Sequence, residues 1–120
     1  MIAKDTCCTL VPYFTIHEGK LGEFKALCAK FIEKTGTEPD CLFYGFTFDG
    51  MEAHCREGYK NAEGILAHLG NVGVLLDETL KIADLHRIEA HGPAGELEKL
   101  REPLKDLDVQ YYKLEFGFRH

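Results

Sequence analysis

The chain has 120 residues, 45% of them hydrophobic, and a net charge of −6 from 14 basic and 20 acidic side chains. That length fits one domain, and that composition fills a core of ordinary size. The acidic balance and scattered Lys and Arg argue against nucleic acid as a partner, no apolar run reaches the roughly 18 residues of a membrane span, and residues 1–8 lack the shape of a signal peptide, so a cytoplasmic protein is expected.

Residues 8–16 are rich in β-formers and predict a first strand, with Pro12 interrupting its ladder. A turn at residues 17–20 follows. Leu21, Phe24, Leu27, Cys28, Phe31 and Ile32 then recur at helical spacing, and Gly36 stands where a C-terminal cap belongs. Residues 42–48 and 52–59 read as two strands joined by an Asp49-Gly50 hairpin turn. That turn sets Phe48 opposite Met51, Tyr44 opposite Cys55 and Leu42 opposite Glu57. One face then carries Leu42, Tyr44, Phe46, Phe48, Met51, Ala53, Cys55, Glu57 and Tyr59, and is expected to meet helices. The other carries Phe43, Gly45, Thr47, Glu52, His54 and Arg56.

Asn61 suits an N-cap, with Glu63 in the first turn and Ile65, Leu66 and Leu69 inward. Gly70 and Gly73 predict a weakened helix, with a second piece over residues 72–82 set at an angle. Residues 85–91 read as a fourth strand. Gly92-Pro93 opens a short third helix in which Leu97, Leu100 and Leu104 are spaced for burial. Residues 109–118 predict an aromatic-rich final strand that seals a sheet edge or reaches a partner. The order β-α-β-β-α-β is the ferredoxin-like split βαβ pattern of an α+β fold, with two helices on one face of a four-stranded antiparallel sheet. A single domain over 1–120 is expected, with a core at about 8–91 and an extension over 92–120. The face carrying Phe43 needs cover, and a second copy of the sheet would supply it in a homodimer.

One stretch gathers polar groups against this apolar background. Glu57, Tyr59 and His68 flank a strand-to-helix junction and can point to one side of the sheet. A carboxylate on an apolar face is costly unless it is paired or neutral, and desolvation raises its pKa toward the range of a general base. Glu57 is therefore either that base or a structural carboxylate tied to the junction. His68 is a proton carrier or a core histidine with a satisfied ring. Tyr44 and Tyr59 either hydrogen-bond a phenolic ligand or belong to the core. Elsewhere the chain offers little chemistry. Its five cysteines are odd in number and lack a Cys-x-x-Cys pair, which fits thiols in a reducing compartment. His54 has Arg56 beside it, and neither it, His17 nor His86 forms a His-x-x-x-His pair, so no metal is expected. No Gly-rich phosphate loop or nucleophile elbow is present, so no flavin or nicotinamide cofactor is expected.

The pattern Glu57-x-Tyr59-x-Asn61-x-Glu63-x-Ile65-x-x-His68, in this order of elements, resembles the antibiotic biosynthesis monooxygenase family of dimeric α+β barrels. Glu38-Pro39-Asp40-Cys41 resembles that family's link into its second strand, with Asp40 in place of a common Gly. The resemblance covers about residues 8–91 and leaves the extension unexplained. It implies a cofactor-independent monooxygenase acting on a small phenolic or quinol-like substrate. Glu57 or His68 would be the base, and Tyr44, Phe46 and Tyr59 would contact the substrate. The same groups also suit a proton-transfer isomerase of a small metabolite, or a dimer that binds a small molecule without catalysis. The haem-degrading branch of the family depends on a helix-borne Trp and a later helical His. The chain has no Trp, and His86 falls in a predicted strand, so haem is not expected.

Overall fold

A computed structural model describes residues 5–120, so the first four residues of the segment read for a signal peptide lie outside the described residues. The elements in order are β1 (Cys8–Ile16), α1 (Leu21–Thr35), β2 (Cys41–Asp49), β3 (Glu52–Tyr59), α2 (Ala62–Thr79), β4 (Ala83–Gly92), α3 (Ala94–Arg101) and β5 (Val109–Lys113). The sheet order is β2-β3-β1-β4-β5. The first four strands pair antiparallel, and β5 joins β4 in parallel. This is the ferredoxin-like α+β arrangement with one strand added at the β4 edge. Among the described residues no helix is long and apolar enough to cross a membrane.

Alternation along β1 sends Leu10, Phe14 and Ile16 toward the helices. Pro12 lacks a donor and leaves its mark: pairing to β3 lapses between Leu10 and Tyr13, and the β4 ladder shifts register between Tyr13 and Phe14. Phe24 and Phe31 turn the buried face of α1 onto this layer. Gly36 is the C-cap, as expected, in a right-handed conformation at φ −59°.

The hairpin differs from expectation in register. Phe48 pairs with Ala53, Tyr44 with Glu57, and Asp49 with Glu52. The two-residue turn is therefore Gly50-Met51, with Gly50 at φ +61° in its first position, where glycine carries no steric cost. The slip is two residues, so every paired side chain keeps its expected face. Leu42 does not lie opposite Glu57. It sits in a register shift between Cys41 and Phe43 and is 41% exposed. Phe48 and Met51, at the hairpin tip, are also exposed, although the Phe48 ring still meets Phe24 of α1 edge-on.

The expected break in the second helix is absent: α2 runs unbroken from Ala62 to Thr79. A Cβ at Gly70 or Gly73 would meet nothing within 4 Å, so both are ordinary surface positions. Their propensity cost is outweighed by a buried stripe of Ile65, His68, Val72, Leu75 and Thr79. Asn61 caps the helix by accepting from the Gly64 N–H at 2.9 Å. Gly64 itself lies close to Asp40 and Tyr59, where a Cβ would sit 3.2 Å from each of their Cβ atoms. In the extension, Leu97, Leu100 and Leu104 are all buried, in one cluster with Cys8, Leu10, Tyr59, Ile65 and Ile88. β5 stops at Lys113 rather than running to residue 118, because β4 ends at Gly92, whose carbonyl accepts the Leu114 N–H. Beyond that bond Phe116 and Phe118 are exposed.

Candidate acid–base site

Glu57 occupies an interior strand. It pairs with Leu10 of β1 on one side and Tyr44 of β2 on the other, and alternation sends its side chain toward the helices. It is 3% exposed. The Tyr59 hydroxyl donates to Glu57 Oε1 at 2.6 Å. Burial pushes the carboxyl up to about 8, against the pull of Tyr59 and Cys55 and with a further push from the negative Glu38. At neutral pH Glu57 is mostly a neutral acid.

The Asn61 cap fixes where α2 begins and so aims His68 at the same spot. The imidazole is 2% exposed, with Nε2 at 3.6 Å from Glu57 Oε1. Its Nδ1 lies 3.1 and 3.0 Å from the two Glu38 oxygens. A carboxylate only accepts, so the ring proton sits on Nδ1 and the Nε2 lone pair faces Glu57. Burial lowers the His68 pKa, and Glu38 recovers part of that loss. Both groups are thus neutral near pH 7, and the 3.6 Å contact is a close approach of two uncharged groups, longer than a hydrogen bond, rather than an ion pair. Asn71 holds Glu38 from the far side: its amide donates to Glu38 Oε2 at 2.8 Å and to the Lys34 carbonyl at 3.1 Å.

Glu57 and His68 form the polar end of a partly open cavity of about 40 Å³. Its walls are aromatic and aliphatic, with Phe14, Phe24 and Phe31 among them, and Leu107 from the extension closes part of it. Glu57, His68, Tyr44 and Phe46 all line it. Tyr59 does not. It is fully buried behind Glu57 and serves the carboxyl, not the cavity. The rings of Tyr44 and Tyr59 flank His68 at 5.1 and 5.4 Å between centroids. Burial and the nearby Glu57 push both phenols well above their ordinary range, so they stay protonated. Thr35, in the last turn of α1, is buried with no hydrogen-bond partner for its hydroxyl among the described residues.

Sequence reasoning missed Glu38 and Asn71. Glu38 stood in the Glu-Pro link, but nothing in its spacing ties it to His68, since the link from α1 to β2 brings the two together. Among the described residues no His, Cys, Asp and Glu cluster is arranged to hold a metal ion. All five cysteines are free.

No family model and no curated protein matches the chain. Solved structures do. MupZ from Pseudomonas fluorescens is 48% identical, with 97% of this chain and 96% of that chain covered and a TM-score of 0.93. A protein provisionally named an antibiotic biosynthesis monooxygenase from Nitrosomonas europaea is 14% identical, covers 72% of this chain and 88% of its own, and gives a TM-score of 0.64. One of the same provisional name from Chloroflexus aurantiacus is 16% identical, with 70% and 89% covered and a TM-score of 0.60. The last two share the fold, over a portion close to what β1 to β4 span, whereas the likeness to MupZ takes in almost the whole chain. The chain therefore belongs to the family of MupZ, built on the antibiotic biosynthesis monooxygenase fold.

Proposed function

We propose that the protein is a general acid–base enzyme that moves a proton to or from a neutral, largely apolar small molecule held between the sheet and α1 and α2. One observation carries this reading: a neutral buried carboxyl, Glu57, faces the basic nitrogen of His68 at the polar end of an apolar cavity. Burial raises the acid and lowers the base, which reverses their ordinary order, so that near neutral pH the carboxyl holds its proton and the imidazole is free to accept one. Among the described residues no Lys or Arg lines the cavity, so an anionic substrate would find no counter-charge there. A phenol or quinol suits it: His68 or ionised Glu57 takes a proton, the Tyr44 hydroxyl orients the oxygen, and Phe46 packs the ring.

The provisional names of the fold neighbours favour a second reading, cofactor-independent monooxygenation, which begins with the same deprotonation. The electron-rich anion then reduces O₂. For a phenol, one oxygen atom replaces a ring hydrogen, and the ring loses the hydroxyl proton and two electrons to become a quinone. The second oxygen atom leaves as water. As the family resemblance implies, we place a second copy of the chain on the outer face of the sheet, where Val11, Tyr13 and Phe43 have no helix over them. Free cysteines fit a reducing, cytoplasmic setting.

The test is a panel of phenols and quinols incubated in deuterated buffer, once under argon and once under oxygen. Deuterium entering a carbon-bound position of the ligand under argon, and failing to enter with Glu57→Gln, supports proton transfer. Consumption of one O₂ per product selects the monooxygenase. Ligands that bind yet show neither response would make the protein a binding module.

A further inference from the structure

Glu57 and His68 are 3% and 2% exposed, so a proton gained or lost at Glu57 has to be replaced through a neighbour. The polar groups around the His68 ring are Glu57 and Tyr59 from β3, Tyr44 from β2 and Glu38 from the link after α1. Both phenols are held protonated, which leaves Glu38 as the group able to take a proton from the ring. It stands on the outer side of Nδ1, its side chain is 9% exposed, and Asn71 clamps one of its oxygens.

We propose that Glu38 is a positioning residue for the acid–base pair: it fixes His68 as the Nδ1-protonated tautomer with Nε2 turned to Glu57, and it forms the outer end of the route by which Glu57 exchanges its proton with water. The inference rests on the reading of Glu57 and His68 given above. In this route a proton leaving Glu57 lands on Nε2 while the Nδ1 proton passes to Glu38 and on to solvent. The imidazole stays neutral, one proton crosses, and the reverse passage restores the tautomer. Asn71 matters because an amide donating to Glu38 keeps that carboxylate turned to the ring.

The experiment is nitrogen NMR of the full chain with labelled histidine, combined with the deuterium-exchange assay above. The wild type should show His68 as a single Nδ1–H tautomer. Glu38→Leu removes the acceptor and should give the Nε2–H form or a mixture. It should slow exchange into bound ligand about tenfold or more with KM unchanged, since holding a catalytic histidine in the wrong tautomer costs up to about 10⁴-fold. An unchanged tautomer and an unchanged rate overturn the proposal. If Glu38→Leu does not fold, Asn71→Ser carries the same test, because the shorter hydroxyl releases Glu38 without removing it: a mixed tautomer supports the role and a single Nδ1–H form overturns it. Should Glu57→Gln abolish exchange while the Glu38 and Asn71 variants change nothing, only the role of Glu38 fails. Should Glu57→Gln leave exchange intact, the acid–base reading itself fails, and the tautomer result then reports packing alone.

Discussion

Strand β3 carries two Glu–His pairs, one on each face of the sheet. On the outer face Glu52 meets His86 at 2.9 Å, with the two side chains 52% and 45% exposed. On the inner face Glu57 meets His68 at 3.6 Å, and each side chain is 3% exposed. The closer pair is the more exposed one. In the single chain water reaches both outer partners, and exposed pairs of this kind contribute roughly 0–1 kcal/mol. The inner pair has lost that solvent, which raises the Glu57 pKa and lowers that of His68. Burial, more than proximity, decides which pair can do chemistry, and alternation along one strand is enough to produce both.

The largest expected contrast is catalytic. Glu57→Gln should slow proton exchange by about 10²–10⁴-fold, the usual scale of general acid–base catalysis, while Glu52→Gln should leave the rate unchanged. Equal losses in the two variants would break the comparison. Next comes the packing that keeps the inner pair dry. Leu100 is fully buried in the cluster that holds Tyr59, and Leu100→Ala should cost about 2–5 kcal/mol in a urea melt. A cost near zero would mean that the extension is not part of this core.

The third contrast is in pH. Folded Glu57 titrates at about 8 instead of 4.5. Between those values the folded chain keeps a proton that the unfolded chain releases, so this group makes stability fall as pH rises from about 4.5 to about 8. His68 acts in the opposite sense. Its folded pKa is lowered, so its contribution is full above its ordinary value near 6.5 and is lost as pH falls below that. Glu57→Gln should therefore gain on the wild type across the higher window, by roughly a few kcal/mol from end to end. Parallel melting curves against pH would show that Glu57 is ionised in the fold. The smallest effect belongs to the outer pair. His86→Ala should change the stability of the single chain by about 1 kcal/mol or less, and any larger effect should appear as weaker association in sedimentation, because His86 lies on the face given to the proposed second copy. A wild-type monomer at micromolar concentration would remove the proposed second copy.

The faces of the hairpin were legible because period-two alternation survives a slip of two residues, even though the turn was placed at Asp49-Gly50 instead of Gly50-Met51. The unbroken α2 was not legible. Glycine propensity is local, whereas the stripe from Ile65 to Thr79 acts through contacts made only in the folded chain. The end of β5 was hidden for a similar reason, since aromatic content predicts a strand but the end of β4 decides where pairing stops. Within the candidate site, Glu57 and His68 stood out as polar residues in an apolar pattern, and Tyr44 and Phe46 followed from sharing Glu57's face. Tyr59 shares that face too, yet its place behind Glu57 depends on how α2 packs over the strand. Glu38 and Asn71 meet His68 only through the crossing of the α1–β2 link and α2, which no spacing along the chain records.

The size of the cavity sets a kinetic condition on whatever the protein binds. Its volume is about 40 Å³, whereas an apolar cavity that takes up a benzene ring measures about 150 Å³. At that size the cavity accommodates water but not an aromatic ring, so an aromatic ligand would require an open form in which α1, α2 or the Leu107 loop stands further from the sheet. Apparent affinity is then the intrinsic affinity scaled down by the open fraction. Association should be slow and insensitive to salt, limited by how often the walls part rather than by diffusion. Trimming Phe31 to leucine should make association faster while weakening the fold, trading stability for access.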